Sequence, residues 1–261
     1  MLAISTADWN AMIALFLYPF VRILAWLATD PLLGNRAAPN SVRVTLAFAL
    51  AMVIVPTLPP PPPVALVSGD GLLILVQQIL IGVALGFTLR IVFMAVEFTG
   101  QIMSLQMGLS FATLFDPING AQTPVLSQFL TLFTVLLLLA FNGHHLVIGA
   151  LWQSFHDIPI AARPLADKGI LMLLEWAGAL FKTGLHIALP ITAALLTANL
   201  AIGMMTRAAP QLNIFAVGFP ITLGAGFVVL YFAVAYMPGI IERFWMHAVE
   251  VAQAIMRGIA P

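Results

Sequence analysis

The chain has 261 residues, of which 62% are hydrophobic and 8% are charged. In soluble domains about 45–50% of residues are apolar and about 25% are charged. The composition therefore excludes a water-soluble fold of this size and predicts a membrane protein. Ten basic residues balance ten acidic ones without any basic run, which argues against a nucleic-acid partner. Cysteine is absent, which excludes disulfides, zinc–thiolate sites and thiol catalysis.

Six apolar stretches follow one another along the chain. Spanning a bilayer as a helix takes about 20 residues, so the second stretch is short. Lipid offers no partner to an exposed backbone polar group, and the alternation of a membrane strand is absent, so all six are predicted to be helices. Together they predict an all-α membrane protein. The stretches cover roughly 11–29, 42–57, 71–94, 125–141, 170–197 and 213–237.

The N-terminal part and the connections carry further signals. Arg22 lies deep inside the first apolar stretch and no basic region precedes it, so we expect this stretch to remain as a helix rather than to act as a cleaved signal. Five consecutive prolines, Pro59 to Pro63, predict a stiff polyproline II spacer, and a docking site for an SH3-like domain is the less favoured reading. The polar loop 156–169 suggests a division of the chain into two parts.

Beyond Pro238 the spacing of apolar residues predicts an amphipathic helix that lies on a membrane or on a partner. Charged residues fall mostly outside its apolar face. The residues predicted to share that face are Ile241, Phe244, Trp245, Ala248, Val251 and Ile255.

Charged residues occur within or beside the apolar stretches at Arg22, Arg90, Glu97, Glu175 and Lys182. A charge at the bilayer centre costs about 2.5–3.5 kcal/mol or more on insertion scales. Arg90 and Glu97 are seven positions apart, as are Glu175 and Lys182. Seven positions are about 10 Å of helical rise, which is too far for a direct ion pair. We therefore expect partners on other helices or other subunits, and a proton relay is the less favoured alternative.

Small residues recur at a spacing of four. Gly82 and Gly86 form one such pair, and Ala194 and Ala198 form another, with Gly203 following. Small residues let helix backbones approach closely in membranes, so these pairs predict helix packing, either within the chain or between subunits.

Sites of chemistry are not indicated. His144 and His145 in "FNGHHL" point about 100° apart on a helix and cannot chelate one metal together, and Asn142-Gly143 is typical of a turn at a helix end. No paired carboxylates, phosphate-binding loop or nucleophile motif is present in the sequence. We predict no catalytic residue, no cofactor and no metal site.

The stretch "GLSFATLFDPINGAQTP", residues 108–124, is apolar and rich in turn formers, unlike an ordinary polar loop between membrane helices. Methionine and phenylalanine are deformable apolar fillers that can seal a channel and give way to a passing chain. A re-entrant loop buried as core is the plainer reading. The residues concerned are Met103 and Met107 upstream, then Phe111, Leu114 and Phe115, then the Asp116-Pro117 break.

Three long stretches resemble the FliR family of flagellar type III secretion export-gate proteins. They are "GQIMSLQMGLSFATLFDPINGAQTPVLSQFL", "NGHHLVI" and "TRAAPQLNIFAVGFPITL". The N-terminal "RILAWLATDPLLGNRAAPNSVRV" is similar to the family as well, so the resemblance covers nearly the whole chain. The five-proline run departs from the pattern.

The resemblance implies a subunit of the export gate in the bacterial inner membrane, at the flagellar basal body, through which unfolded flagellar proteins leave. It implies tilted helical hairpins packed in a helical assembly with FliP and FliQ. Residues 1–169 would be FliP-like, with a plug loop at 108–124, and 170–261 would be a FliQ-like hairpin with the C-terminal amphipathic helix.

The same resemblance assigns residues to two places in the gate. The plug would involve the apolar residues named above with Asp116 and Pro117, and a cytoplasmic entrance loop near FlhB would contain Arg207, Gln211 and Asn213. Its contacts would be gate subunits, exported flagellar proteins and membrane lipid. A subunit of a virulence type III secretion system and a stand-alone solute transporter remain as alternatives.

Overall fold

The computed structural model describes residues 6–32, 34, 39–109, 124–208 and 214–260. These residues form helices joined by turns and irregular segments, and none of them is in a strand. The predicted all-α class is therefore confirmed. The helices are α1 (Thr6–Thr29), α2 (Asn40–Ile54), α3 (Gly69–Gln106), α4 (Val125–Ala140), α5 (Gly143–Asp157), α6 (Asp167–Ala177), α7 (Ala179–Ala208) and α8 (Ile214–Ile259), with a 3₁₀ turn at Val55–Thr57.

Within the described residues, five helical segments are long and apolar enough to cross a membrane. The pair α4 and α5, bent by 74° at a short break, makes a sixth candidate if it counts as one span. Each of the six predicted apolar stretches falls in, or overlaps, one of these segments. The five are Met12–Thr29, Asn40–Thr57, Gly69–Gln106, Asp167–Ala208 and Gly218–Ile259.

The long helix α3 lies deepest in the chain: 67% of its span is buried, against 17–39% in the other four. Its start is capped by Ser68, whose Oγ accepts the N–H of Gly71 at 3.1 Å. The predicted stretch ended at residue 94, but the helix continues to Gln106. Glu97 and Gln101 lower the hydropathy there without interrupting the backbone hydrogen bonds of the helix.

The break between α4 and α5 falls at the predicted Asn142-Gly143 turn. Asn142 has φ 55° and ψ 29°, the left-handed conformation that asparagine tolerates better than most residues. This single residue interrupts the helix between α4 and α5 and accounts for the bend there.

By packing, the chain separates into two compact units that are interleaved in sequence. The first unit comprises Met1–Ile91, Asn142–Ala177 and Trp245–Pro261, and the second comprises Val92–Phe141 and Gly178–Phe244. These units are defined by packing within one chain, so they do not test the predicted division into residues 1–169 and 170–261. That division rests on a resemblance to FliP and FliQ, and it stays a prediction.

The first unit is assembled on close contacts of α1 with α3. A methyl group added at Gly82 would lie 2.9 Å from the backbone nitrogen of Trp26, and one at Gly86 would lie 2.9 Å from the Trp26 carbonyl oxygen. The glycines thus let two helix backbones touch, which settles their packing as intramolecular. The other predicted pair differs, since Ala194 is exposed and Gly203 has nothing within 4 Å of an added methyl group.

The end of α8 packs in the same unit against α6. The Ala166 N–H donates to the Ile259 carbonyl at 3.0 Å, and a methyl group at Gly169 would lie 2.6 Å from the Ile255 carbonyl oxygen. Of the apolar face predicted beyond Pro238, Trp245, Ala248 and Ile255 are buried in this unit, whereas Ile241 is buried in the core of the second unit. The apolar stretch 213–237 and the helix predicted beyond Pro238 are parts of one helix, because α8 runs unbroken through Pro220 and Pro238. A proline removes one backbone hydrogen bond, and the rest of a 46-residue helix keeps it continuous.

Candidate functional site

The apolar loop begins at a well-formed helix end. Gly108 has φ 76°, its N–H donates to the Leu105 carbonyl at 3.1 Å, and the Leu109 N–H donates to the Ser104 carbonyl at 3.0 Å. This pair of bonds is the Schellman motif, and the left-handed φ is the reason that glycine stands at position 108. The chain therefore leaves α3 in a fixed direction.

Met103 and Met107 lie immediately before this turn and are buried in the core of the second unit. Met107 contacts Gly226 of α8: a methyl group added at Gly226 would lie 2.7 Å from the Met107 sulfur. Leu109, the last residue described before the loop, packs partly against the same core. The start of the loop is thus tied to a cluster of apolar side chains from α3, α4, α7 and α8.

The far end of the loop returns to the same core. Pro124 is the first described residue after the loop, and its carbonyl accepts the Gln128 N–H at 3.1 Å in the first turn of α4. Ser127 packs on α3 so tightly that a methyl group at Gly100 would lie 2.6 Å from its Cα. Its hydroxyl donates to the Glu97 carbonyl at 3.1 Å. Both ends of the loop are therefore held on α3.

The middle of the loop, residues 110–123, lies outside the described residues. This includes five of the predicted plug residues, namely Phe111, Leu114, Phe115, Asp116 and Pro117. Of the predicted entrance loop, Arg207 is exposed in the last turn of α7, where a cation favours the helix dipole. Gln211 and Asn213 lie outside the described residues.

A buried arginine is the main polar feature of the first unit. Arg22 of α1 is 0% exposed. Its Nε donates to Gln78 Oε1 of α3 at 2.8 Å, its Nη1 to the Ser154 carbonyl at 2.7 Å, and its Nη2 to the Ile158 carbonyl at 2.9 Å. The guanidinium also lies 4.2 Å from the centre of the Phe155 ring.

The Arg22 guanidinium is thus held among apolar helices by an amide oxygen and two backbone carbonyl oxygens rather than by a carboxylate. Ser154 and Ile158 lie at the C-terminal end of α5, whose free carbonyls and helix dipole favour a cation. The expectation that charges find partners on other helices is confirmed for Arg22. The sequence could not identify those partners, because they lie 56, 132 and 136 positions away.

The remaining charges in the apolar stretches behave differently. Arg90, Glu175 and Lys182 are exposed and Glu97 is partly exposed. No ion pair joins any of them to a residue that the structure describes. In this single chain their side chains therefore face outward, where subunits or water could satisfy them.

The structure also bears on the alternatives. The described residues contain no group of three or more histidine, aspartate or glutamate side chains placed to hold a metal. A cavity of about 280 Å³ lies between α7 and α8 beside Pro190. Its lining is apolar apart from the Tyr236 hydroxyl and the backbone, so it lacks the polar groups with which a transporter would bind a charged or polar solute.

The helices and the anchored loop define an all-α membrane protein with one apolar loop held at both ends on its central helix. The model of bacterial export proteins, family 1, matches residues 13–248. The chain therefore belongs to this family of bacterial export proteins.

Its similarity to known members extends over most of its length, and the examples here carry the name flagellar biosynthetic protein FliR. The chain is 40% identical to that of Pectobacterium carotovorum subsp. carotovorum, covering 98% of both chains. It is 43% identical to that of Escherichia coli strain K12, covering 87% of this chain and 86% of the relative. It is 30% identical to that of Bacillus subtilis strain 168, covering 92% and 94%.

Proposed function

We propose that this chain is a subunit of the flagellar type III protein export gate and forms part of the channel through which unfolded flagellar proteins leave the cell. The observation that carries the proposal is the family match over residues 13–248, together with flagellar relatives aligned over most of their length. The five membrane-length helices support a place in the bacterial inner membrane, at the flagellar basal body.

The gate function needs no chemistry from this subunit, so we propose that it is not an enzyme. Its role is to supply channel wall, and FliP and FliQ would supply the rest. We propose further that residues 1–169 act as a FliP-like part and 170–261 as a FliQ-like part. Exposed apolar side chains on α2, α4, α7 and α8 support packing against subunits or lipid.

We propose that residues 108–124 form the plug of the channel. Two observations support this: the loop is apolar in sequence, and both of its ends are fixed on α3. Met103 and Met107 would then anchor the start of the plug, because they are buried in the core near the end of α3, where the loop begins. Phe111, Leu114 and Phe115 would make the seal, with Asp116 and Pro117 setting its turn.

We propose that Arg207, Gln211 and Asn213 belong to the cytoplasmic entrance, close to FlhB. The exposure of Arg207 at the end of α7 supports an accessible position. The segment that follows it is short, since α8 begins at Ile214.

The test of the function is replacement of the resident FliR in Escherichia coli by this chain. We expect restored export of hook and filament proteins, scored by swimming and by secreted protein, and co-purification of the chain with FliP and FliQ. A chain that reaches the membrane intact, yet restores no export and purifies alone, would contradict the proposal. Transport of a small solute by the purified monomer in liposomes would favour the transporter instead.

A further inference from the structure

The apolar cavity between α7 and α8, about 280 Å³ in volume, lies wholly within the second unit. Pockets that hold small molecules have volumes from about 300 Å³ upward, so this one suits a single acyl chain rather than a whole lipid. Phe232 and Tyr236 line the cavity, yet they are 60% and 73% exposed. The cavity therefore opens sideways, to the surroundings of the helix pair.

The two helices that form the cavity are antiparallel neighbours, because only residues 209–213 lie between them. Their contacts with α3 follow the same order. A methyl group added at Gly184 of α7 would lie 2.7 Å from the Ala95 carbonyl oxygen, and one added at Gly226 of α8 would meet the Met107 side chain. The first part of α7 and the later part of α8 therefore lie at the same end of the pair.

Charged side chains are found just outside the cavity and not along it. Residues 187–206 of α7 and 214–241 of α8 include no Asp, Glu, Lys or Arg, and each stretch is long enough to span a bilayer, which takes about 20 residues. Lys182 and Arg243, both exposed, lie beyond these stretches at the same end of the pair. The cavity thus begins at the expected polar boundary of the membrane and extends into the apolar part.

Arg243 lies at the mouth of the cavity. Phe232, Tyr236 and Ile240 line it at helical spacing, and Arg243 follows three positions later on the same face of α8. Its Nη1 would lie 3.8 Å from a methyl group added at Gly239, so the guanidinium is folded back along the helix toward the cavity. Within the described part of the chain Arg243 makes no hydrogen bond and no ion pair, so it is available to an anion.

We propose that this cavity binds one acyl chain of an anionic phospholipid and that Arg243 binds the phosphate of the same lipid. A guanidinium donates two parallel hydrogen bonds to phosphate oxygens. Basic pockets between membrane helices are typical sites for anionic headgroups, and Lys182 adds positive charge at the same level on α7. The inference goes beyond the proposed function and does not depend on it.

Other occupants fit this site less well. An apolar helix of another subunit would fill the cavity, but it would take water from Arg243 without bringing an anion. A polar solute would meet an apolar lining. Glu242 does not neutralise Arg243, because it points about 100° away around α8 and no ion pair joins the two side chains.

The test is photolabelling of the full chain, purified in mild detergent with the subunits that accompany it. The probe is phosphatidylglycerol with a photoreactive diazirine in one acyl chain. Phosphatidylcholine with the same chains and the same diazirine is the headgroup control. We expect phosphatidylglycerol to label peptides from residues 229–240, located by mass spectrometry, about fivefold more strongly than phosphatidylcholine.

Substitutions separate the headgroup from the chain. Arg243→Gln should lower labelling by phosphatidylglycerol about fivefold, to the level of phosphatidylcholine, because the phosphate loses its cation. Arg257→Gln, at an exposed position in the last turn of the same helix, is the matched control and should leave labelling unchanged. Ala233→Leu places a larger side chain in the cavity and should reduce labelling by both lipids.

Three results would overturn the inference. Equal labelling by the two lipids would show that this face meets only the general lipid surroundings. Labelling by phosphatidylglycerol that persists in Arg243→Gln would show that Arg243 does not bind the headgroup. Absence of labelling at residues 229–240 would show that the acyl chain does not enter the cavity. The readout is lipid binding and not export, so each result leaves the proposed function to its own test.

Discussion

The two units of this chain solve the same packing problem by different means. The first is held around Arg22, whose hydrogen bonds tie α1 to α3 and α5 with fixed directions. The second is held around Met103 and Met107, whose flexible side chains fill space between α3, α4, α7 and α8. Hydrogen bonds to a planar guanidinium tolerate little displacement, whereas methionine adapts its shape.

This difference matters because the described ends of the apolar loop both lie in the second unit. Leu109 packs against the methionine core, and Pro124 precedes α4, whose Leu126 belongs to the same core. In the plug role proposed above, the loop yields to a passing polypeptide and would be mounted on the more adaptable core. Substitutions in each of the two cores, followed by measurement of unfolding, compare how much change each core tolerates.

The largest effect is expected for Arg22→Lys. Lysine keeps the charge, but its single ammonium group cannot reach Gln78, Ser154 and Ile158 together, so buried acceptors lose their donors. We expect unfolding to become easier by about 3 kcal/mol, measured by tryptophan fluorescence on heating in detergent. Arg90→Lys, at an exposed position of α3, is the control and should change stability by less than about 0.5 kcal/mol. Equal losses of stability from the Arg22 and Arg90 substitutions would show that the hydrogen bonds of Arg22 do not hold the first unit together.

A smaller effect is expected for Gly82→Ala. Its new methyl group would meet the backbone of α1, including the Trp26 nitrogen at 2.9 Å, and a backbone cannot turn aside. The two helices must separate, so we expect a loss of about 1–3 kcal/mol in the same unfolding experiment. The control is Gly203→Ala, where nothing lies within 4 Å and alanine should, if anything, favour the helix. A Gly82→Ala protein as stable as the parent would show that the first unit is not rigid there.

The smallest effect is expected for Gly226→Ala in the second unit. Here the new methyl group would meet only the side chain of Met107, which can change its rotamer. We expect a loss below about 1 kcal/mol, and less than for Gly82→Ala, although both changes add the same group at a helix crossing. If Gly226→Ala proved the more damaging of the two, the second core would not be the adaptable one.

Much of the fold could be predicted from the sequence, because hydropathy and turn residues act locally. The apolar stretches located the helices, and Asn142-Gly143 located the break between α4 and α5. The limits of the helices were less predictable. Pro238 follows the end of an apolar stretch, yet α8 continues through it. Polar residues near Glu97 end another apolar stretch, yet α3 continues to Gln106.

The site was less predictable, for a physical reason. Arg22 signals only that a charge needs partners, and those partners come from helices far away in sequence. Met107 packs against Gly226, more than a hundred positions later, and Met103 lies in the same core, so the spacing of the two methionines on one helix face could not distinguish core from channel lining.

The central claim, that the apolar loop seals the channel, is tested most directly by ion leakage through the assembled gate. Phe111 to Phe115 are replaced by five glycine and serine residues, and the same replacement at Pro59 to Pro63 serves as the control of equal length. We predict that cells making the full gate lose membrane potential, or swell in permeant salt, with the loop variant and not with the control. Equal leakage from the two variants, in gates assembled to the same level, would contradict the account.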